Sequence, residues 1–262
     1  KGKRMDSQIK IFETGIKDGI MSRNKKFYNK TLTQPEINTI FKKTRQKIGE
    51  KYNINGLHMF QALQKTPSNK LNYKDGKYIV ISEKNMQQED YWLEELPADI
   101  LILSNKYKNV IVGNQMSDCP VIIAEDRKNG VTALSHCGAS YINRKLPIQT
   151  IEALIKEYNS DVSNIYVYIG SCIKKESYAY DCYPKWATAT EVWKNCIYEE
   201  NGIYKIDLVK AIIEQLASIN IKHINVSKID TYTNKNYYSH LAEYQGNQEK
   251  KGQNFVGFFY KK

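Results

Sequence analysis

Cys119 and His136 stand near the two ends of the stretch MSDCPVIIAEDRKNGVTALSHCG, residues 116–138. A thiol and an imidazole can share one metal ion, or act together as nucleophile and base. Either use requires that they meet. Two apolar runs are separated by Asp126, Arg127, Lys128, Asn129 and Gly130, a composition that reads as a hairpin loop. With the loop centred between Arg127 and Lys128, Cys119 faces His136 directly, and opposed Cβ atoms lie about 4.5–5.5 Å apart. Two-residue alternation puts Val121, Ile123, Thr132 and Leu134 on the same face, so the pair is expected on mostly apolar ground.

Zinc catalysis needs roughly three N, S or O ligands and one open position, where a bound water becomes acidic. Cys119 and His136 supply two, and His58, His223 and His240 are the other histidines. The same pair could instead hold a thiolate beside an imidazolium, the nucleophile of a cysteine hydrolase. A buried cysteine beside a hydrogen-bonded histidine is the plain alternative. Asp118 points to the opposite face of a regular strand and is not placed to orient His136. No glycine-rich phosphate cradle is present.

Those side chains have to be positioned by a chain of 262 residues, long enough to bury a sizeable core. The segment TQPEINTIFKKTRQKIGEKY (33–52) predicts a helix begun at Thr33, Pro35 and Glu36, with Ile37, Ile40, Phe41 and Ile48 at helical spacing. INGLHMFQALQKT, ADILILS, KNVIVGNQ, NIYVYIGSC, HINVSKID and NFVGFFYKK read as strands. LPIQTIEALIKEYNSD and KIDLVKAIIEQLASINI read as helices, the latter with Leu208, Ile212, Leu216 and Ile219 on one stripe. Helices intermixed with strands and a plain hairpin point to an α+β class, a mixed α/β sandwich, in one domain over residues 1–262.

No run approaches the ~20 apolar residues of a membrane span, and the first residues lack the apolar core of a signal peptide. A cytoplasmic protein without a membrane partner is expected. Five cysteines without CxxC spacing argue for reduced thiols. The net charge of +11 comes from scattered lysines, with only the short runs NKKFYNK and FKKTRQK, which argues against nucleic acid as partner.

Several segments, in order, resemble the laccase-domain proteins, also called the polyphenol oxidase family or peptidoglycan editing factors. GIKDGIMSRNKKF is similar to that family's opening strand, MFQALQKTP to its Gln-Val-His-Gly segment, and NQMSDCPVIIAED to its Ala-Asp-Cys-x-Pro-Val segment. GVTALSHCGASY resembles the His-Ala-Gly-Trp-Arg-Gly segment, VYIGSCIKKESY the Ile-Gly-Pro-x-Ile segment, and DTYTNKNYYSHLAEYQG the Cys-Thr segment that leads into Ser-His-Arg. The resemblance implies a single α/β sandwich domain with a mononuclear zinc held by His, Cys and His. It also implies purine nucleoside chemistry: phosphorolysis of adenosine, inosine or guanosine, and adenosine deamination. Copper-dependent phenol oxidation is the older assignment, and removal of wrong amino acids from cell-wall precursors a third. The fold further resembles a toxin deamidase with a Cys and His pair.

Carried over by position, the family's cysteine falls on Cys119 and its second histidine on His136, while its first histidine falls on Leu63, which cannot bind metal. His58 lies at an odd offset on the opposite face of a regular strand, so His240 is the third ligand the resemblance favours. The family's Trp-Arg becomes Ala139 and Ser140, its Pro becomes Ser171, and its later Arg becomes Leu241; Arg23 and Arg144 are the arginines that could compensate. Gln61, Ser239 and His240 are expected to contact substrate, with Arg23 near an anion. The expected function is that of a monomeric zinc-type purine nucleoside phosphorylase, adenosine deaminase or hydrolase, acting with phosphate or water. Its alternatives are a noncatalytic descendant that binds a nucleotide or protein, and a Cys-His hydrolase, either a deamidase or a cell-wall-precursor amidase.

Overall fold

Strands with apolar residues at consecutive positions must be covered on both faces, and the chain meets this demand by stacking two sheets and capping each with helix. The computed structural model describes residues 6–54, 58–64, 76–86, 93–188 and 190–261. Strand β1 (Ile9–Glu13) precedes helix α1 (Gln34–Tyr52), then β2 (His58–Ala62), β3 (Tyr78–Val80), β4 (Leu93–Leu96) and β5 (Ile100–Ser104). Next come β6 (Val110–Met116), β7 (Val121–Asp126), β8 (Val131–His136), α2 (Ala139–Asn143), α3 (Leu146–Tyr158) and β9 (Ile165–Ile169). The chain continues through β10 (Ala179–Tyr180), β11 (Ile197–Glu200), β12 (Ile203–Ile206), α4 (Leu208–Ser218), β13 (His223–Val226), α5 (His240–Tyr244) and β14 (Asn254–Tyr260).

One sheet runs β1-β14-β6-β2-β4 and the other β13-β9-β7-β8-β5-β3, with β10, β12 and β11 forming a small third sheet. Alternation sorts each strand's side chains between layers. On β7, Val121 and Ile123 pack with Val256, Phe258 and Tyr260 of β14 between the two large sheets. Ile122 and Ala124 pack on the other side with Ile151 and Leu154 of α3 and Ile212 and Leu216 of α4. On β14, Phe255 and Phe259 turn outward and meet Phe41 and Ile48 of α1. The result is the mixed α/β sandwich expected from the sequence.

Helix α1 starts as expected: the Thr33 backbone N–H and hydroxyl both donate to the Glu36 carboxylate at 2.7 Å, and Pro35 lies in the first turn. Ile37, Phe41 and Ile48 are buried, but Ile40 is 40% exposed, because its position falls off the stripe that faces β14. Residues 15–27, expected to open the fold as a strand, instead carry two short 3-10 turns at Ile16–Asp18 and Lys25–Phe27; the strand that pairs with β14 lies before them. The strand expected over INGLHMFQALQKT is present at His58–Ala62, and its residues 55–57, 65 and 66 lie outside the described ones. No helix among the described residues is long and apolar enough to cross a membrane.

Candidate active site

The hairpin forms, in a register shifted from the one expected. His136 pairs with Val121 and Val131 with Asp126, so the loop is centred between Lys128 and Asn129. The shift comes from the loop's own bonds: the Asp126 carboxylate accepts from Lys128 N and Asn129 N, and Gly130 adopts φ +64°. Cys119 therefore lies two residues beyond the partner of His136, past Pro120, whose carbonyl accepts from Cys137 N at 2.8 Å. Opposite Cys119 stands Gly138, where a Cβ would lie 3.1 Å from the Cys119 sulfur. The lack of a side chain there leaves room for the thiol.

Because the register moved by a whole alternation period, the two side chains still share a face. That face is the one between the sheets, with Val121, Ile123 and Leu134 in its core and the Thr132 hydroxyl 2.7 Å from that of Tyr260. At its open end Cys119 and His136 both line a cavity of about 600 Å³. Tyr178, Tyr180, Leu208, Leu241 and Tyr244 supply much of the rest of its wall, with Lys26, Gln115 and Gln253 as polar members. A second hollow of about 540 Å³ shares Lys26, Phe27, Gln115 and Gln253 with it and holds Arg23 and Glu95.

Burial keeps both groups of the pair neutral. It pushes the Cys119 thiol up to about 12, with help from the neighbouring Asp118 charge and Cys172, and lowers the His136 imidazole to about 4. The Nε2 of His136 is buried without a hydrogen-bond partner. A pH dependence follows. The folded pKa of His136 lies below its unfolded value of 6.5, so its contribution is fully present above pH 6.5 and lost as pH falls towards 4. The loss is at most about 3 kcal/mol. Urea unfolding at pH 7 and pH 4.5 should show it, and His136→Asn should flatten the difference. An equal acid loss in both proteins would remove His136 as the cause.

A family profile described as "multi-copper polyphenol oxidoreductase laccase" matches residues 56–255. The chain belongs to that family. A curated relative, a purine nucleoside phosphorylase of Clostridium acetobutylicum, is 31% identical over 147 residues, which are 55% of this chain. The match spans 60% of that relative's length. YlmD from Geobacillus stearothermophilus superposes with a TM-score of 0.70 at 16% identity, over 86% of this chain and 81% of that one. A Neisseria meningitidis protein of the DUF152 family does so with a TM-score of 0.66 at 12% identity, over 100% of this chain and 98% of that one. At such identities the two structures show the same fold.

For this laccase-family chain the metal question turns on the donor set. Cys119 and the orphaned Nε2 of His136 are two donors at one cavity. The third is not assembled: Leu63 offers none, and His240, though it lines the cavity, is an exposed residue at the start of α5. Among the described residues, no group of three His, Cys, Asp or Glu side chains could hold a metal ion. The described residues therefore do not fit a centre with three protein ligands, whether for zinc or for the copper in the family's description.

The other expected site residues have local duties. Gln61 donates to Glu95 at 2.8 Å, and Glu95 pairs with Arg23 at 3.4 Å, so Arg23 faces the adjoining hollow and not the main cavity. Ser239 is fully buried and caps α5, its hydroxyl accepting from Ala242 N at 3.2 Å. Arg144 lies over the Tyr141 ring and near Asp99, away from the cavity wall. Asp118 leaves His136 alone, as its strand face implies, and holds the cavity's far wall: it accepts from Thr231 Oγ1 at 2.7 Å and from Leu241 N at 2.8 Å. Lys26, Tyr178, Tyr180 and Gln253 were not read from sequence as site residues. Two of them left a signal: Lys26 in the basic run NKKFYNK, and Tyr178 as the later Tyr of the segment VYIGSCIKKESY.

Proposed function

We propose that the cavity binds a purine nucleoside and that the chain acts on it as a phosphorylase or hydrolase. The observation that carries this reading is the buried, unpartnered Nε2 of His136 at the cavity wall. Such an atom is costly unless something bonds to it. An uncharged, planar base edged with donors and acceptors meets that need without bringing charge onto apolar ground. The volume suits a small molecule, for which sites run from about 300 to 1,000 Å³, and the name of the Clostridium acetobutylicum relative supports a nucleoside.

In this reading the aromatic wall holds the base and excludes water. His136, neutral at physiological pH, has a free lone pair, so it can take a proton from the attacking water or phosphate and hand that same proton to the departing base. Lys26, at the junction of the two hollows, offers the positive charge that phosphate requires.

A second reading, a noncatalytic nucleoside binder, is favoured by Leu63 and by the exposed His240. One experiment separates them: adenosine is supplied with and without phosphate, and ribose 1-phosphate, hypoxanthine and adenine are followed beside thermal stabilisation. The enzyme reading expects turnover that falls by roughly 10²–10⁴-fold in His136→Ala. Stabilisation by adenosine without any product favours the binder, and neither effect ends both.

A further inference from the structure

Cys172 occupies the variable position of the Ile-Gly-Pro-x-Ile segment, where the family resemblance calls for no thiol. Its place in the fold brings it near Cys119. Strands β7 and β9 are antiparallel, with Ile122 opposite Ile169, and the pairing runs on past their ends. Gly170 N donates to Val121 O at 2.9 Å, and Ile173 N donates to Asp118 O at 2.9 Å. The ladder is broken at the bends of residues 117–119, where Cys172 bridges instead to Asp230, but both bonds keep the index sum of the β7–β9 pairing and so bring Cys119 alongside Cys172, near enough for Cys172 to act on the Cys119 thiol. Residues so opposed hold their Cα atoms about 4.5–5.5 Å apart, within the ~4.4–6.8 Å that a disulfide spans.

The faces agree as well. A Cβ on Gly170 would lie 2.9 Å from Val256 Cγ1 in the other sheet, so residue 170, and 172 two further on, point between the sheets. Val121 packs between the sheets, and Cys119 two residues before it shares that side. Cys119 is half-buried at the cavity, whereas Cys172 is fully buried behind it with Lys174 Nζ donating to its sulfur at 3.3 Å. Cys137 belongs to the opposite face, beside Ser135 in the helix-side core.

We propose that Cys119 and Cys172 form a reversible disulfide when a small peroxide enters the cavity, which takes away the site's thiol. The Cys119 sulfur attacks one oxygen of hydrogen peroxide, the O–O bond breaks, and Cys119 sulfenic acid and one water result. The Cys172 sulfur then attacks the Cys119 sulfur, and the hydroxyl leaves with the Cys172 proton as a second water. Two thiols and one peroxide become one disulfide and two waters. Burial raises both thiols, Cys119 to about 12 and Cys172 to about 11, so the oxidation is slow; the Lys174 ammonium beside Cys172 acts in the opposite sense and eases the second step. The Cys119 sulfur leans towards Gly138 in the reduced chain, so closure needs a turn about its Cα–Cβ bond.

The test treats the reduced full chain with hydrogen peroxide, blocks remaining thiols with iodoacetamide, and maps non-reduced peptides by mass spectrometry. The expected result is a joined Cys119–Cys172 peptide pair, two hydrogens lighter than its parts, with alkylation of Cys119 lost and then restored by dithiothreitol. In Cys172→Ala, Cys119 should proceed to sulfinic acid, which dithiothreitol does not reverse. Oxidation of Cys119 in the unsubstituted chain without the link, a link to Cys137, or oxidation confined to the exposed Cys182 overturns the proposal. None of these readouts depends on substrate.

Discussion

A chain carrying Leu63→His is expected to retain stoichiometric zinc through gel filtration, where the parent chain retains little. Cys119 and His136 already converge on the cavity, and both are neutral, so the parent offers zinc two donors and must give up a thiol proton to do it. Residue 63 follows β2 and is fixed nearby: its N–H donates to Leu96 O at 2.7 Å, and the next residue, Gln64, donates through Nε2 to the carbonyl of His136 at 2.9 Å. An imidazole there completes the three-ligand set of a catalytic zinc site. Loss of mere outer-shell partners costs metal sites 10–100-fold in affinity, so a third direct ligand should raise it by at least ~100-fold. Competition with a chromophoric chelator measures this, and the gain should vanish in Leu63→His combined with Cys119→Ala. If the parent already binds zinc as tightly as Leu63→His, a donor other than residue 63 completes its site, and the proposed loss of the metal centre fails.

Parts of this site were legible in the sequence because they depend on short-range rules. The alternation of MSDCPVIIAEDRKNGVTALSHCG placed Cys119 and His136 on one face, and the structure keeps that face even though the loop bonds of Asp126 shifted the register. Thr33, Pro35 and Glu36 announced α1, and the Leu208, Ile212 and Leu216 stripe announced α4. What could not be read rests on distant parts of the chain meeting. β1 is a strand because β14, some 250 residues later, pairs with it. The tyrosines at 178, 180 and 244 reach one wall through the small third sheet and the short helix α5, neither of which has enough periodicity to stand out. Ser239 is expected at the substrate because the family resemblance puts SHL near the pocket, yet its hydroxyl serves the backbone as a helix cap.

Lys250 is the extreme case, since in NQEKKGQN it reads as one more solvated charge, and replacing it should be among the most damaging single changes in the chain. Its side chain is buried, with the residue 6% exposed, and its ammonium donates to the carbonyls of Thr231 at 2.9 Å, Tyr237 at 2.8 Å and Asn234. Its backbone carbonyl accepts from Ser239 N at 3.1 Å, so the same residue ties the 231–237 loop to the start of α5. Asp118 and Asp230 sit near enough for their charges to favour the ammonium. Lys250→Met keeps most of the stem's volume and removes all three donors, leaving three carbonyls short of partners and two carboxylates without their cation. The expected cost is about 3–5 kcal/mol, which for a chain of this size lowers the melting temperature by roughly 10 °C. Lys235→Met, exposed in the same loop, should change stability by less than about 0.5 kcal/mol. The wall that Asp118 and α5 give the cavity loosens with Lys250, so nucleoside binding should weaken in the folded fraction of Lys250→Met and not in Lys235→Met. Matching melting curves for the two variants would show that the three carbonyls find water as readily as they found the ammonium, and that the cavity wall is held by Asp118 alone.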